Sequence, residues 1–285
     1  MPQPPDLIDR AKLAHNRRRA RQAARPAMFL QEIAAAELSE RLDLINRSFT
    51  SPAIVTPFPG IWKQLLPDAR IISDTETLDL KLHAHDLVIH AMALHWANDL
   101  VGQLIQCRRA LKPDGLFLGA AFGGQTLAEL RAAMAEAEVS ISGGLSPRVA
   151  PMAEIRDLGA LLQRAGFALP VADSLTHNVT YENPFALMHD LRAMGESNAM
   201  AGRLRGFTRR AMMDEAVRRY TEAYSGADSR ILATFEIIYL AGWAPSESQP
   251  KPLRPGSAKA RLADALGIPE NPAGDVVPHG GFDPD

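Results

Sequence analysis

Four segments of the sequence carry polar, aromatic or glycine residues at the point where a predicted strand ends. They are the turn at 56–60, Asp74-Thr75, the stretch at 90–96 and Phe122-Gly123-Gly124. In a doubly wound α/β sheet, ligands bind outside the carboxyl ends of the strands. The spacing of these segments therefore predicts a single pocket, of the kind that takes a nucleotide-like cofactor.

Each of these residues also has a purely structural interpretation. Asp74 can accept hydrogen bonds from ribose hydroxyls or an adenine amino group, or it can form a turn where its strand ends. Gly123 and Gly124 allow a close backbone approach to a ligand, or they only lead the chain into a helix. His95 and Trp96 face the pocket mouth or pack in the interior. The residues alone leave these alternatives open.

Glu196, Ser197 and Asn198 form a polar cluster between two predicted helices, with hydrogen-bonding capacity but no defined reaction. The sequence contains no Gly-x-Ser-x-Gly elbow, phosphate-binding loop or paired-carboxylate signature. Its eight histidines lack metal-site spacing and have no cysteine partner, so no metal is expected. The residues therefore predict a binding pocket without an assignable catalytic group.

The elements that must position these residues alternate between strand and helix. Strands are predicted at 53–56, 70–73, 86–96, 116–122, 167–181 and 230–243, and helices at 61–66, 99–111, 126–138, 153–165, 183–195 and 207–224. The run at 86–91 is apolar without alternation, which is typical of a strand covered on both faces. Residues 112–115, Lys-Pro-Asp-Gly, predict a helix stop and a turn. This order predicts an α/β fold with a mostly parallel sheet.

The N-terminal part of the chain, residues 6–47, has apolar residues at helical spacing and is predicted to be helical. It contains a run of arginines: Arg17, Arg18, Arg19, Arg21 and Arg25. The run is interpreted as a solvated helix face, and a docking surface for an acidic partner is the alternative.

Composition and charge restrict the class of protein. The net charge of −2 gives no reason to expect nucleic acid as a partner, and the single cysteine, Cys107, fits a reducing compartment. Cys107 itself is expected to be a packed, inert thiol. No segment approaches the roughly 20 apolar residues of a membrane span. A soluble, cytoplasmic protein is expected.

The chain divides into an N-terminal helical region (1–50), an α/β domain (51–245) with a helical insertion at about 183–224, and a proline-rich tail (246–285). Eight of the 21 prolines lie from residue 245 onward, which predicts extended chain there. A short helix is predicted within the tail at Ser257–Leu266.

The segments "HDLVIHAMALHWANDL", "LKPDGLFLGAAFGGQTLAELR", "GGLSPRVAP" and "LMHDLRAMGESNA" resemble class I S-adenosylmethionine-dependent methyltransferases. More narrowly, the chain is similar to the complex I assembly factor 5 family and its bacterial homologues. The resemblance covers about residues 5–258, and the runs "LHW-ND", "GG-SP" and "MGESN" are specific to that branch.

This resemblance implies a Rossmann-like methyltransferase fold whose last strand is antiparallel and forms a hairpin with the strand at 167–181. It implies S-adenosylmethionine as the cofactor and a role in building respiratory NADH:quinone oxidoreductase. The implied activity is hydroxylation of an arginine on the small iron–sulfur subunit, the protein client. Neither nucleic acid nor membrane insertion is implied, and the protein would approach the inner membrane only through its client.

The resemblance also assigns sides of the pocket. The cofactor side comprises Thr56, Phe58, Gly60, Asp74, Thr75, His90 and Ala91. The client side comprises His95, Trp96, Phe122, Gly123, Gly124, Ser146, Arg148, Glu196 and Asn198.

The chain departs from the family in its first third. Where the family carries "LDLGCGxG" after the first strand, this sequence has "IVTPFPGI". Pro57 and Pro59 have no N–H group, and Phe58 adds bulk, so we expect Phe58 and Trp62 to fill space meant for the cofactor. The run "IISDTETLDL" matches the family's third strand, which predicts that the strand bearing the ribose-binding acid is missing. The sequence therefore predicts weakened cofactor binding and a protein that acts by gripping its client. An active enzyme with a remodelled pocket is the alternative.

Overall fold

The computed structural model describes residues 6–249. Its residues up to Glu247 belong to one compact unit, and a second unit begins at Ser248. The predicted helix at Ser257–Leu266 and most of the predicted tail lie outside the described residues.

Helices and strands follow each other largely in the predicted order. The helices are α1 (Arg10–Arg21), α2 (Phe29–Leu44), α3 (Pro59–Leu65), α4 (Leu100–Ala110), α5 (Ala128–Ser142), α6 (Ile155–Arg164), α7 (Pro184–Met194) and α8 (Arg210–Tyr224). The strands are β1 (Pro52–Val55), β2 (Arg70–Ile72), β3 (His85–Ala91), β4 (Leu111–Phe122), β5 (Ala168–Tyr181) and β6 (Ile231–Trp243).

The strands form one sheet in the order β2-β1-β3-β4-β6-β5. Strands β1 to β4 pair in parallel, and β6 is antiparallel to both of its neighbours, β4 and β5. This is the Rossmann-like α/β fold that the sequence predicts, with its antiparallel last strand.

Helices cover both faces of the sheet, which explains the continuous apolar runs of the parallel strands. In β1, the side chain of Ile54 joins the core on the face of α2, α3, α5, α7 and α8. Its neighbours Ala53 and Val55 join the core on the face of α4 and α6. Every residue of β1 is therefore buried.

The N-terminal helix predicted over 6–47 is two helices. Helix α1 ends at Arg21 and α2 begins at Phe29. Pro26 lies between them; it lacks an N–H group and disfavours helical conformation in the residue before it. The break allows α1 and α2 to run in different directions.

Two predicted boundaries in the middle of the chain are also corrected. Strand β3 ends at Ala91, because Met92 has a positive φ of 48° and a 3₁₀ turn at Leu94–Trp96 follows. Residues 112–115 belong to β4, which begins at Leu111. The pairing shifts there, and Asp114 has a positive φ of 60°, so the predicted turn is a bulge within the strand.

Strand β2 pairs directly with β1. In the doubly wound order 3-2-1-4-5-6, the position beside the first strand belongs to the second strand. That order has two strands beyond the first strand, whereas only β2 lies beyond β1 among the described residues, so the sheet has one strand fewer on this side. That the absent strand is the one bearing the ribose-binding acid stays a prediction; Asp74 follows β2 closely.

Candidate functional site

The ends of β1, β2 and β3 meet at one edge of the sheet, and α1 lies against them. The predicted single pocket is divided, because the segments after β1 and β2 line one cavity, whereas His95 and Trp96 line two others. The Arg10 side chain donates hydrogen bonds to the backbone oxygens of Trp96, at 3.1 Å, and of Asp74. The Arg21 side chain donates to the backbone oxygen of Pro57 at 3.1 Å. Helix α1 thus connects the segments that follow three strands.

Residues 56–59, which follow β1, have no free amide donor to offer a cofactor. The N–H group of Thr56 donates to the Ile72 oxygen at 2.9 Å, and the N–H group of Phe58 donates to Thr56 Oγ1 at 3.1 Å. Pro57 and Pro59 have no N–H group. A glycine turn would present free amides and bare Cα atoms to a ligand, whereas the amides of residues 56–59 are all used or absent.

Phe58 and Trp62 pack in different surroundings. Trp62 is fully buried beneath α2 and donates its indole N–H to Gln31 Oε1 at 2.9 Å. Phe58 packs on Gly195, where an added Cβ would lie 3.3 Å from the ring. The expectation that both residues fill the cofactor space is wrong for Trp62, which belongs to the core between the sheet and α2. Gly60 is exposed at the start of α3.

Asp74 is held by arginines of α1. Its carboxylate pairs with Arg17, and Arg10 Nη2 lies 3.4 Å from Oδ2. The Arg17 side chain is 5% exposed and that of Asp74 is 11% exposed. The interpretation of the arginine run as a solvated helix face is therefore wrong for Arg17, which is recruited into the interior by an acid 57 residues later in the chain.

A cavity of about 410 Å³ lies between α1 and the ends of β1 and β2. Its lining includes Thr56, Asp74 and Thr75 from the predicted cofactor side, together with Arg10, Arg17 and Arg21. The Nε and Nη2 atoms of Arg17 are buried without a hydrogen-bond partner among the described residues. The volume of this cavity lies in the range typical of small-molecule sites.

His90 and Ala91 lie beneath this cavity in the core. Both are fully buried in β3, and His90 Nε2 donates to Gln103 Oε1 at 3.2 Å. The Gln103 amide donates in turn to the backbone oxygen of Thr75 at 2.7 Å. Burial lowers the pKa of His90 to about 4, so its imidazole is neutral at pH 7. The histidine thus supports the loop after β2 from below.

The predicted client side contains a buried network centred on Glu196. Trp96 Nε1 donates to Glu196 Oε2 at 2.6 Å, and His95 Nε2 lies 3.2 Å from the same oxygen. The N–H group of Phe122 donates to His95 Nδ1 at 3.3 Å, so the other ring nitrogen carries the proton given to Glu196. The second carboxylate oxygen, Oε1, is buried and has no partner within the described part of the chain.

Glu196 lines a cavity of about 180 Å³ together with Trp96, Arg148, Asn198 and apolar side chains. Arg148 does not neutralise Glu196, because its guanidinium bonds Glu138 Oε1 at 2.6 Å and Thr208 Oγ1 at 2.7 Å. Within the described part of the chain, Glu196 therefore forms no ion pair with an arginine or lysine.

Ser146 and Asn198, also predicted on the client side, hold the loop around Arg148 in place. The hydroxyl of Ser146 donates to Glu138 at 2.7 Å, and Asn198 donates to the Pro147 oxygen at 2.9 Å. Hydrogen bonds from Arg148 and Ser146 lower the pKa of Glu138 to about 2. Glu138 is therefore a structural anion that ties the loop after α5 to that helix.

Gly123 and Gly124 make room for protein side chains. An added Cβ at Gly123 would lie 2.5 Å from Glu236 Oε2, and one at Gly124 would overlap the Glu154 carboxylate. Phe122 stacks on His95, with ring centroids 4.7 Å apart. These contacts support the interpretation of both glycines as positions that lead the chain into a helix.

Among residues 6–249, no group of three or more His, Cys, Asp or Glu side chains is arranged to hold a metal ion. Within the same range, no helix is long and apolar enough to cross a bilayer.

Comparisons with known proteins agree with this geometry. The family described as "Methyltransferase domain" matches residues 53–119. Over 199 residues, the chain is 41% identical to the "Arginine-hydroxylase NDUFAF5, mitochondrial" of Danio rerio, a match covering 70% of this chain and 62% of that protein. It is 36% identical over 175 residues to a "Malonyl-[acyl-carrier protein] O-methyltransferase" of Methylovorus sp. (strain MP688), which covers 61% of this chain and 56% of that protein.

Among solved structures, a protein from Bacillus halodurans C-125 described as a methyltransferase aligns with 74% of this chain and 99% of its own. The identity is 12% and the TM-score 0.47. The chain spans less than two thirds of the length of the curated relatives just described.

The sheet order and the matched domain are those of a class I methyltransferase-type fold. Within this class, the chain is similar to the NDUFAF5 proteins of several organisms.

Proposed function

We propose that the protein is a methyltransferase-fold assembly factor that binds an arginine side chain of a protein client in the cavity beside Glu196, and that its binding of S-adenosylmethionine is weakened or lost. The observation that carries this proposal is the Glu196 carboxylate. It is 7% exposed, and one of its oxygens has no partner within residues 6–249.

A buried carboxylate is costly unless it is paired or fully hydrogen-bonded. Trp96 and His95 satisfy Oε2 of Glu196, whereas Oε1 remains for a ligand. A guanidinium group matches a carboxylate in charge and geometry and also stacks on aromatic side chains. Trp96 supplies an indole at the same cavity. An arginine is therefore the side chain that this cavity suits best.

The relatives support the same chemistry. Those of Danio rerio, human and Dictyostelium are named arginine-hydroxylases. The client implied by the resemblance is the small iron–sulfur subunit of NADH:quinone oxidoreductase. By analogy, this subunit would present the arginine here, in the cytoplasm and without nucleic acid.

The residues of the predicted cofactor side do not fit S-adenosylmethionine in its usual pose. Residues 56–59 offer no amide, and both Arg17 and Arg10 engage Asp74, which would otherwise accept ribose hydroxyls. Binding would require the α1 arginines to release Asp74.

The second candidate is an active S-adenosylmethionine-dependent enzyme, either a methyltransferase or an arginine hydroxylase, with a remodelled pocket. It is favoured by the cavity of about 410 Å³ and by the position of Asp74 after the strand beside β1. Saturable binding of the cofactor would distinguish it from the first candidate.

The proposal is tested by measuring binding of the purified small iron–sulfur subunit to the full chain by biolayer interferometry. Glu196→Gln keeps an amide oxygen for Trp96 but removes the negative charge. We expect it to weaken binding about tenfold or more, because truncating one partner of a buried charge pair costs at least about 2 kcal/mol. Glu40→Gln, on the exposed surface of α2, is the matched control and should bind like the wild type.

Equal affinities for Glu196→Gln and wild type would refute the role of Glu196, and absence of binding by the wild type would refute the proposed client. Thermal unfolding of both variants checks that each is folded.

A further inference from the structure

A wide groove lined by cations opens beside the Glu196 cavity. It has a volume of about 700 Å³ and is named here the basic groove. Its cationic side chains are Lys12, Arg19, Arg148, Arg192, Arg203 and Arg205. They come from α1, α7 and the loops beside α5 and α7, so only the folded chain brings them together.

Most of these cations have no acidic partner. Arg148 pairs with Glu138 at 2.6 Å, and Arg203 pairs with Asp9 at 2.9 Å. The other four, Lys12, Arg19, Arg192 and Arg205, form no ion pair with any residue in the range 6–249. The groove therefore carries a net positive charge although the whole chain has a net charge of −2.

The cations are close enough to destabilise one another. Burial and then the charges of Arg19, Arg203 and Arg192 lower the pKa of Lys12. Burial and the charge of Arg192 lower the pKa of Arg19. Arg19 Nη2 donates to Ser197 Oγ at 3.2 Å, but its Nε is buried without a partner in the described chain. An anion in the groove would reduce the repulsion among these cations and accept a hydrogen bond from Arg19 Nε.

The groove also has an apolar component. Met134 and Met188 contribute to its lining, and Phe185 and Leu204 are exposed at it. Exposed aromatic and aliphatic side chains beside arginines are typical of protein-binding surfaces. An inorganic anion or a nucleic acid backbone would leave these apolar side chains uncovered.

The geometry points to a docking site for an acidic segment of a protein partner, with its carboxylates at Lys12, Arg19, Arg192 and Arg205 and its apolar side chains on Phe185 and Leu204. This inference goes beyond the proposed function. Glu196 binds a cation and the basic groove an anion, and the groove's role does not require that the adjoining cavity take an arginine.

The test is fluorescence anisotropy with the full chain and a labelled 12-residue peptide that alternates pairs of Glu with Leu and Phe. The matched probe has Gln in place of every Glu. We expect saturable, salt-sensitive binding of the acidic peptide only. Arg19→Gln combined with Arg192→Gln should weaken it about fivefold or more, since each partly exposed charge contact contributes up to about 1 kcal/mol.

Arg156→Gln is the control, because Arg156 is an exposed arginine on α6 outside the groove. It should bind the peptide like the wild type, and so should Glu196→Gln. If the first double variant is unstable, Lys12→Gln with Arg205→Gln provides a second one.

Three results would overturn the inference. The first is equal binding of the Glu and Gln peptides. The second is an equal loss of affinity for the acidic peptide in the groove variants and in Arg156→Gln. The third is binding of an oligonucleotide or of phosphatidylglycerol vesicles without binding of the acidic peptide.

Discussion

Replacing Asp74 with Asn tests how α1 is held over the strand ends. The substitution removes the negative charge while Arg17, 5% exposed, remains buried. Removing one partner of a buried pair costs about 3–5 kcal/mol. The backbone oxygen of Asp74 still accepts a hydrogen bond from Arg10. We therefore expect the free energy of unfolding to fall by about 3 kcal/mol, the lower end of that range. For a domain of this size that corresponds to a fall in Tm of about 6–12 °C.

The assay is urea unfolding followed by circular dichroism, with thermal melts in parallel. Asp79→Asn is the matched control, because Asp79 is 87% exposed in its pair with Arg70, and it should cost less than about 1 kcal/mol. In an Arg17→Met background, Asp74→Asn should cost far less, since an apolar replacement of the pair leaves no buried charge. A loss below about 1 kcal/mol, or an equal loss in both backgrounds, would refute this account.

Three further predictions follow from the core. Burial lowers the pKa of His90 to about 4, whereas the unfolded chain binds this proton below about pH 6.5. The free energy of unfolding of the wild type should therefore fall by roughly 3 kcal/mol between pH 6.5 and 4, and that of His90→Gln should lack this fall. The same pH dependence in both proteins, measured by urea unfolding, would contradict this. Gly195→Ala should destabilise by about 1–3 kcal/mol in the same assay, since Gly195 has a φ of 84° and an added Cβ would lie 3.3 Å from Arg17 Cα. Gly144→Ala, with open space around it, should be neutral. Burial raises the pKa of the Cys107 thiol, so a thiol reagent should react with it only on unfolding.

The fold could be predicted from the sequence because its signals are local. The apolar runs at 53–55 and 86–91 mark strands covered on both faces, and the structure buries β1 completely. The helix predicted from residue 99 begins at Leu100, and the Asp99 side chain caps it by accepting the Gly102 N–H at 2.7 Å. Boundaries that depend on backbone strain, such as the end of β3 at Met92, have no comparable signal.

The site could be predicted only in part because its contacts are long-range. The polar cluster at 196–198 stood out, but the sequence does not show that Glu196 accepts from Trp96, 100 residues earlier. The arginine run of α1 is conspicuous, yet the burial of Arg17 depends on Asp74, which becomes its neighbour only through the sheet. Tertiary pairing, and not local composition, decides which arginines are solvated.

We propose that this chain binds its client in the cavity beside Glu196 and lacks the usual amide cradle for a cofactor. Isothermal titration of S-adenosylmethionine into the full chain tests it most directly. We expect no saturable heat, corresponding to a Kd above about 1 mM and less than about 4 kcal/mol of binding free energy. One-to-one binding with a Kd in the micromolar range would contradict the claim and favour an active, remodelled enzyme.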